Sequence, residues 1–407
     1  MTGLGIAVAV LLLLWCALLF VPFPWRPVGI FLIMEKALAV GYAPFIAAIG
    51  VALVVVGGVF GSWWIAVPAG LAALGALAVI LRVGSVRVDL SGALGVGWED
   101  RIPAERRTRM VSRWWTGRLR SDPKPRLRQD IPFATVAGTD RVLLCDIWQP
   151  PVGVPPSGVA VVYLHGSAYY VLDKDLATRP LFRHLAAQGH VVASLYGQVG
   201  LDTMYWHTSQ DKSCHPDDQQ PDWTAPPSRA LVRLFGNNAA RLRLQFMTYG
   251  GRSDWLTGGT PGDVPDRYAQ ASVFSYIQPD CPPTLLMHGT HDEMAPVAAV
   301  RQLQHRLEEA GVAVTAVYVP HTDHMFDLIG SRWSPAARVA FYALERFLAV
   351  ISTTEKRPLT DTSPEGSTRK RKVSGPSDES ARVSPETVPQ SSGSGPVTRL
   401  TALPAND

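Results

Sequence analysis

Three short stretches bring together residue types suited to proton transfer at a carbonyl centre. Met287–Val297 reads MHGTHDEMAPV and sets Asp292 between a strand-like run and a helix-like one. Val319–Asp327 reads VPHTDHMFD and offers two histidines, His321 and His324, behind a second strand-like run. A carboxylate held in such a loop orients an imidazole and stabilises its protonated form. Tyr163–Asp175 reads YLHGSAYYVLDKD, so His165 and Gly166 open a third loop behind a strand. Each stretch also has a plainer explanation. Asp292 would serve as the cap of a helix starting near Pro296, and a lone His-Gly is common in strand-to-helix turns.

The elements that must hold these loops are legible as alternating types. Val142–Trp148, Val159–Leu164, His190–Leu195, Thr284–Met287 and Ala313–Val319 are short apolar runs, most of them rich in β-branched residues, and read as strands. Leu176–Gln188, Arg229–Tyr249, Val297–Ala310 and Arg338–Val350 have helical spacing. Such alternation predicts an α/β domain with a mostly parallel sheet covered on both faces.

Taken in order, the three loops resemble the α/β-hydrolase fold in its esterase and lipase (acetyl-esterase-like) branch, over about residues 130–350. Tyr163–Asp175 is similar to that branch's HG-G-A-[WY] loop, with Ser167 where glycine is usual. Met287–Val297 resembles the HG-x-x-D-x-x-x-P loop, and Val319–Asp327 the P-x-x-x-H-x-F loop. Gly258–Gln278 is similar to the segment before the acid strand. The resemblance implies Asp292 as the triad acid and His324 as the triad histidine, with His321 a decoy. It implies His165, Gly166, Ser167 and Ala168 as the oxyanion loop, whose backbone N–H groups stabilise developing charge. It implies carboxylester hydrolysis without a metal or a cofactor.

The resemblance also demands a serine on a G-x-S-x-G elbow between the oxyanion loop and the acid. No such motif lies between Ser167 and Asp292. Ser253, in GGRSDW, comes nearest, but Trp255 stands two residues after it instead of glycine. The elbow unit is skipped: His190–Gly197 joins the strand after the first helix to the Tyr-Gly end of the strand beyond the elbow helix. By typical element lengths this omits roughly 70 residues. Two readings follow: an ester hydrolase whose nucleophile is unrecognised, or a catalytically inactive hydrolase-fold protein that binds or scaffolds at a membrane.

The membrane enters through composition. Of 407 residues, 18% are charged, yet the first 81 hold only Arg26, Glu35 and Lys36. The apolar runs 3–23, 41–61 and 63–81 each suffice to cross a bilayer core, which takes about 20 helical residues. Residues 1–82 are therefore expected to form three transmembrane helices. A basic juxtamembrane connector (83–130), the hydrolase domain (131–351) and a Ser/Pro-rich disordered tail (352–407) are expected to follow. Arg26, Lys36 and the basic connector place the soluble domain in the cytoplasm by the positive-inside rule. The net charge of +4 is too small to argue for nucleic acid. Cys16, Cys145, Cys214 and Cys281 form no CxxC pair, so no zinc knuckle is indicated. The expected partners are the lipid bilayer and an ester or lipid-like small molecule; the sequence leaves oligomeric state open.

Overall fold

The computed structural model describes residues 2–21, 32–112, 123–135, 142–164, 178–195, 262–292, 295–327 and 332–354. Four apolar helices come first: α1 (Thr2–Ala17), α2 (Ile33–Gly41), α3 (Ala43–Val59) and α4 (Trp63–Gly84). Helix α4 is long and apolar enough to cross a membrane, α2 and α3 pass that test only as a pair bent by 73°, and α1 is shorter. The run expected to be helical over 3–23 thus ends at Ala17, and Met34, Glu35 and Lys36 belong to a separate helix. Pro44 explains the bend. It lies in the first turn of α3, and its ring would clash with the carbonyl four residues back if α2 continued.

The helices approach closely because their contact faces are small. Ile65, Ala69, Ala72, Ala73, Ala76, Val79 and Val83 form the buried stripe of α4. Opposite, a Cβ on Gly50 of α3 would lie 2.7 Å from the Ala69 carbonyl oxygen. Small residues let helix backbones meet in this way. The outward face is large and apolar, with Trp63, Trp64, Leu71, Leu74 and Leu81 all exposed.

The α/β part comprises β1 (Arg126–Thr135), β2 (Val142–Gln149), β3 (Ala160–Leu164), α5 (Arg179–Ala187), β4 (Val191–Leu195), β5 (Thr284–Gly289), α6 (Val297–Glu309), β6 (Val314–Val319) and α7 (Pro335–Thr354). One sheet runs β1-β2-β4-β3 and a second pairs β5 with β6. Among the described residues the four-stranded sheet is mixed and the two-stranded sheet is parallel, where a mostly parallel sheet was expected. β1–β2 and β2–β4 are antiparallel, whereas β3–β4 and β5–β6 are parallel. The parallel pairs are those joined by the helices α5 and α6, as parallel crossovers require.

Strand β1 escaped the sequence reading because it starts at Arg126, inside the expected connector, and carries Arg126, Arg128 and Asp130 on an edge. Its register slips at Asp130, which adopts φ 54° and donates its N–H to Asp146 Oδ1 at 3.0 Å. Strand β4 pairs along its whole length with β3 in parallel register, Val191 with Ala160 through Leu195 with Leu164. Among the described residues, β3 has no partner on its other edge, and Val162 and Leu164 are exposed.

The apolar helices and the α/β part share one core. Leu12 and Cys16 of α1, Ala39 and Val40 of α2, and Ala76, Val79 and Val83 of α4 cluster with Val317 and Val319 of β6, Phe326, and Val339, Ala340 and Ala343 of α7. The connector also packs: Leu90, Trp98 and Ile102 meet Phe347 and Val350. Two of its arginines bond within the folded part. Arg107 donates to the Ile102 carbonyl at 3.0 Å and to that of Glu99, and Arg106 reaches Ser352.

Candidate active site

The acid and histidine loops leave neighbouring parallel strands. β5 ends at Gly289 and β6 at Val319, opposite each other in the register. The loops that follow are laced together by backbone bonds. Thr290 N donates to Val319 O at 3.0 Å, and His291 N to Thr322 O at 2.8 Å. His321 N reaches Thr290 Oγ1 at 3.2 Å. Gly289 is small for a reason: a Cβ there would lie 2.6 Å from Thr322 O and 2.8 Å from Thr322 Oγ1.

This lacing brings Asp292 and His324 together. His324 Nδ1 lies 3.0 Å from Asp292 Oδ2 and donates to it. The other carboxylate oxygen accepts the Ala295 N–H at 2.7 Å. His288 Nε2 donates to the Ala295 carbonyl at 2.7 Å and lies 3.5 Å from Asp292 Oδ2. Asp292 is almost wholly buried, while the His324 side chain keeps 36% of its surface exposed. Its Nδ1 engaged, His324 retains Nε2 for a reacting group. Asp292 does hold the N–H at the entry to α6 as a cap would, through the second oxygen.

The electrostatics suit this pair. Burial works against the Asp292 charge, but the His324 hydrogen bond and charge, the Ala295 N–H and the His288 charge outweigh it, and its pKa falls below the usual value. Burial alone would lower the His324 pKa. The hydrogen bond and charge of Asp292, with the charges of Asp323 and Asp327, reverse this and raise it. Burial raises the Asp327 pKa.

Two residues in this region, Asp323 and His291, were not singled out by the sequence. Asp323 Oδ1 accepts the His324 backbone N–H at 2.7 Å, and Asp323 Oδ2 lies 2.5 Å from Lys36 Nζ of α2. His321 turns away from Asp292: its Nδ1 donates to Leu19 O at 3.2 Å and its ring packs edge-on against Phe20. His291 stacks edge-on with His321 and is held neutral, with burial and then the charges of His321 and Lys36 lowering its pKa to about 4.

Other expected site residues fall elsewhere. His165, Gly166, Ser167, Ala168 and Ser253 lie outside the described residues, as does the helical run Arg229–Tyr249. Of the other serines between Ser167 and Asp292, Ser194 is fully buried within β4, opposite Asp146 and Tyr163 in the sheet register, so it presents no hydroxyl to a cleft. Among the described residues, no group of three or more His, Cys, Asp or Glu could hold a metal ion.

Comparison with known proteins bears on the same segment. A profile of the prolyl oligopeptidase family matches residues 243–349, which include both loops. Over 89 residues the chain is 36% identical to the probable carboxylic ester hydrolase LipM of Mycobacterium tuberculosis. Over 90 residues it is 36% identical to the esterase LipQ of the same organism. The α/β part is similar to α/β-hydrolases of the esterase and lipase superfamily. The chain spans about a fifth of the length of these relatives (20% and 21%), and each match covers 22% of this chain. Among solved structures, Thermogutta terrifontis esterase 2 phosphorylated by paraoxon aligns with TM-score 0.35 and 15% identity, covering 56% of this chain and 95% of the other. Brefeldin A esterase, a bacterial homologue of human hormone sensitive lipase, aligns with TM-score 0.37 and 15% identity, covering 66% of this chain and 88% of the other.

Proposed function

We propose that this chain is a membrane-anchored α/β-hydrolase-fold protein of the carboxylester hydrolase type. The observation that carries the reading is the 3.0 Å contact between His324 Nδ1 and Asp292 Oδ2, on loops that leave adjacent parallel strands. In this reading Asp292 fixes the tautomer of His324. The imidazole then takes a proton through Nε2 from an attacking hydroxyl and returns it to the leaving alcohol. Backbone N–H groups near Gly166 and Ser167 would receive the carbonyl charge. The local identity to two mycobacterial ester hydrolases supports the ester class.

The hydroxyl is the open role, and a second reading rests on it. The sequence holds no G-x-S-x-G between Ser167 and Asp292, and among the described residues the outer edge of β3 is unpaired. These support a hydrolase fold that retains its acid–histidine pair but binds instead of hydrolysing. Labelling of the full-length protein in detergent with a fluorophosphonate, read by intact mass, separates the two. A stoichiometric adduct that vanishes in His324→Gln supports hydrolysis, and peptide mapping tests Ser253 first. Absence of an adduct on a cooperatively melting protein supports the binding reading.

Membrane anchoring is supported by α4 and by the exposed apolar face it shares with α1 and α3. Retention in the pellet after alkaline carbonate washing tests it. A cytoplasmic α/β part predicts that an impermeant maleimide reaches Cys281 in inverted vesicles and not in right-side-out ones.

A further inference from the structure

The apolar helices do more than adjoin the hydrolase loops. We propose that Lys36 of α2 is a positioning residue for His324, acting through Asp323. This rests on reading Asp292 and His324 as the acid–base pair of a hydrolase site.

Lys36 is one of only three charged residues in the first 81. A lysine in such a region ordinarily extends its ammonium to the water interface. This one does not: its side chain is 3% exposed, and Nζ meets Asp323 Oδ2 at 2.5 Å, with Asp323 fully enclosed. A buried ion pair contributes little net stability compared with apolar residues of the same shape. Anchoring alone would be served as well by methionine, so the pair calls for another explanation. The second oxygen of Asp323 supplies one, because it accepts the His324 N–H at 2.7 Å. The loop is constrained around it: His321 and Met325 flank His324 at φ 58° and 61°, a conformation that side-chain-bearing residues adopt only where contacts impose it. His321 is itself tied to Leu19 O. Lys36 thus fixes the carboxylate that fixes the backbone of His324, while Asp292 fixes its ring.

The test uses the full-length protein in lipid nanodiscs, labelled with 15N-histidine. The low-field Nδ1–H resonance of His324 is assigned by its loss in His324→Gln. Lys36→Met is expected to abolish or broaden that resonance several-fold, and Lys36→Arg to retain it. Val40→Ala, which trims the same helix in the shared core, is expected to lower the melting temperature and leave the resonance in place. A wild-type resonance in Lys36→Met overturns the proposal, as does its equal loss in Val40→Ala. Should Lys36→Met fail to fold, Lys36→Met/Asp323→Leu removes both buried charges and the acceptor together, and the same loss is expected. A retained resonance in that variant also overturns the proposal. None of these readouts needs turnover. A protein that forms no fluorophosphonate adduct yet shows the Lys36-dependent resonance would sink hydrolysis and leave the positioning role standing.

Discussion

Replacing Gly289 with alanine should separate the acid loop from the histidine loop. The new Cβ would sit 2.6 Å from Thr322 O, against 3.4 Å for ordinary contact, so the backbone must retreat by about 0.8 Å. The atom it meets is main chain, not the end of a flexible side chain, so the strain cannot be relieved by a rotamer change. Thr322 lies two residues before His324. If the whole retreat reaches the imidazole, the 3.0 Å contact with Asp292 opens to as much as about 3.8 Å, beyond hydrogen-bonding distance. Overpacking of this kind costs about 1–3 kcal/mol. For a folded part of this size that is a fall of roughly 2–12 °C in melting temperature. Losing the Asp292 contact should also let the raised His324 pKa relax towards the free value of about 6.5. Thermal melting and a histidine NMR titration measure both. Should Gly289→Ala melt like the wild type and keep the raised His324 pKa, the two loops would not be coupled through this contact.

Asp292→Asn should weaken a pH dependence of stability. The raised His324 pKa stabilises the fold below about 6.5, and that gain disappears as pH rises through the higher folded-state value. The lowered Asp292 pKa acts at the other end, its contribution being lost as pH falls through the carboxylate range. Urea unfolding from pH 3 to 9 should show both slopes reduced in the variant, with the contributions of other groups left in place. His190, buried and hydrogen-bonded to Ser157 at 2.8 Å, has its pKa lowered to about 4 by burial, then by the charges of Arg106 and His184. Stability should therefore be complete above about 6.5 and decline by about 3 kcal/mol as pH falls towards 4. His190→Asn should flatten that decline in the same unfolding series, with His291 and Asp292 contributing to what remains. Glu345→Ala should cost about 3–5 kcal/mol. This fully buried carboxylate accepts from His184 Nε2 at 2.8 Å and from Val111 N at 2.6 Å, and denaturant midpoints would register the loss.

The sequence displayed what is local. Strands β2 to β6 stood out as short apolar runs, and helices α6 and α7 by their helical spacing. The loops around Asp292 and His324 stood out because glycine, proline and the chemical residue sit at fixed offsets. Strand β1 was hidden by its edge position, where Arg126, Arg128 and Asp130 face outward and no apolar alternation is needed. The antiparallel β1–β2 pair was lost with it, and nothing in the residues of β2 and β4 marks their antiparallel pairing. Glu35 and Lys36 read as loop residues because charge in an apolar run ordinarily marks its end. The carboxylate that neutralises Lys36 lies nearly three hundred positions later, and no window along the chain brings the two together.

The contact between His321 and Leu19 joins residues 302 positions apart, and it dictates an order of assembly. A ribosome releases the chain from its N-terminus, so α1 and α2 are made long before the loop that leans on them exists. The surface formed by Leu19, Phe20 and Lys36 must then wait, incomplete, while the intervening sheet is synthesised. Contacts of such long sequence separation form slowly, and a waiting apolar surface invites wrong partners. The histidine loop is therefore among the last pieces to dock. A ribosome stalled before residue 320 would hold the apolar helices with Asp292 still lacking His324, so that pair forms only when both distant parts of the fold have met.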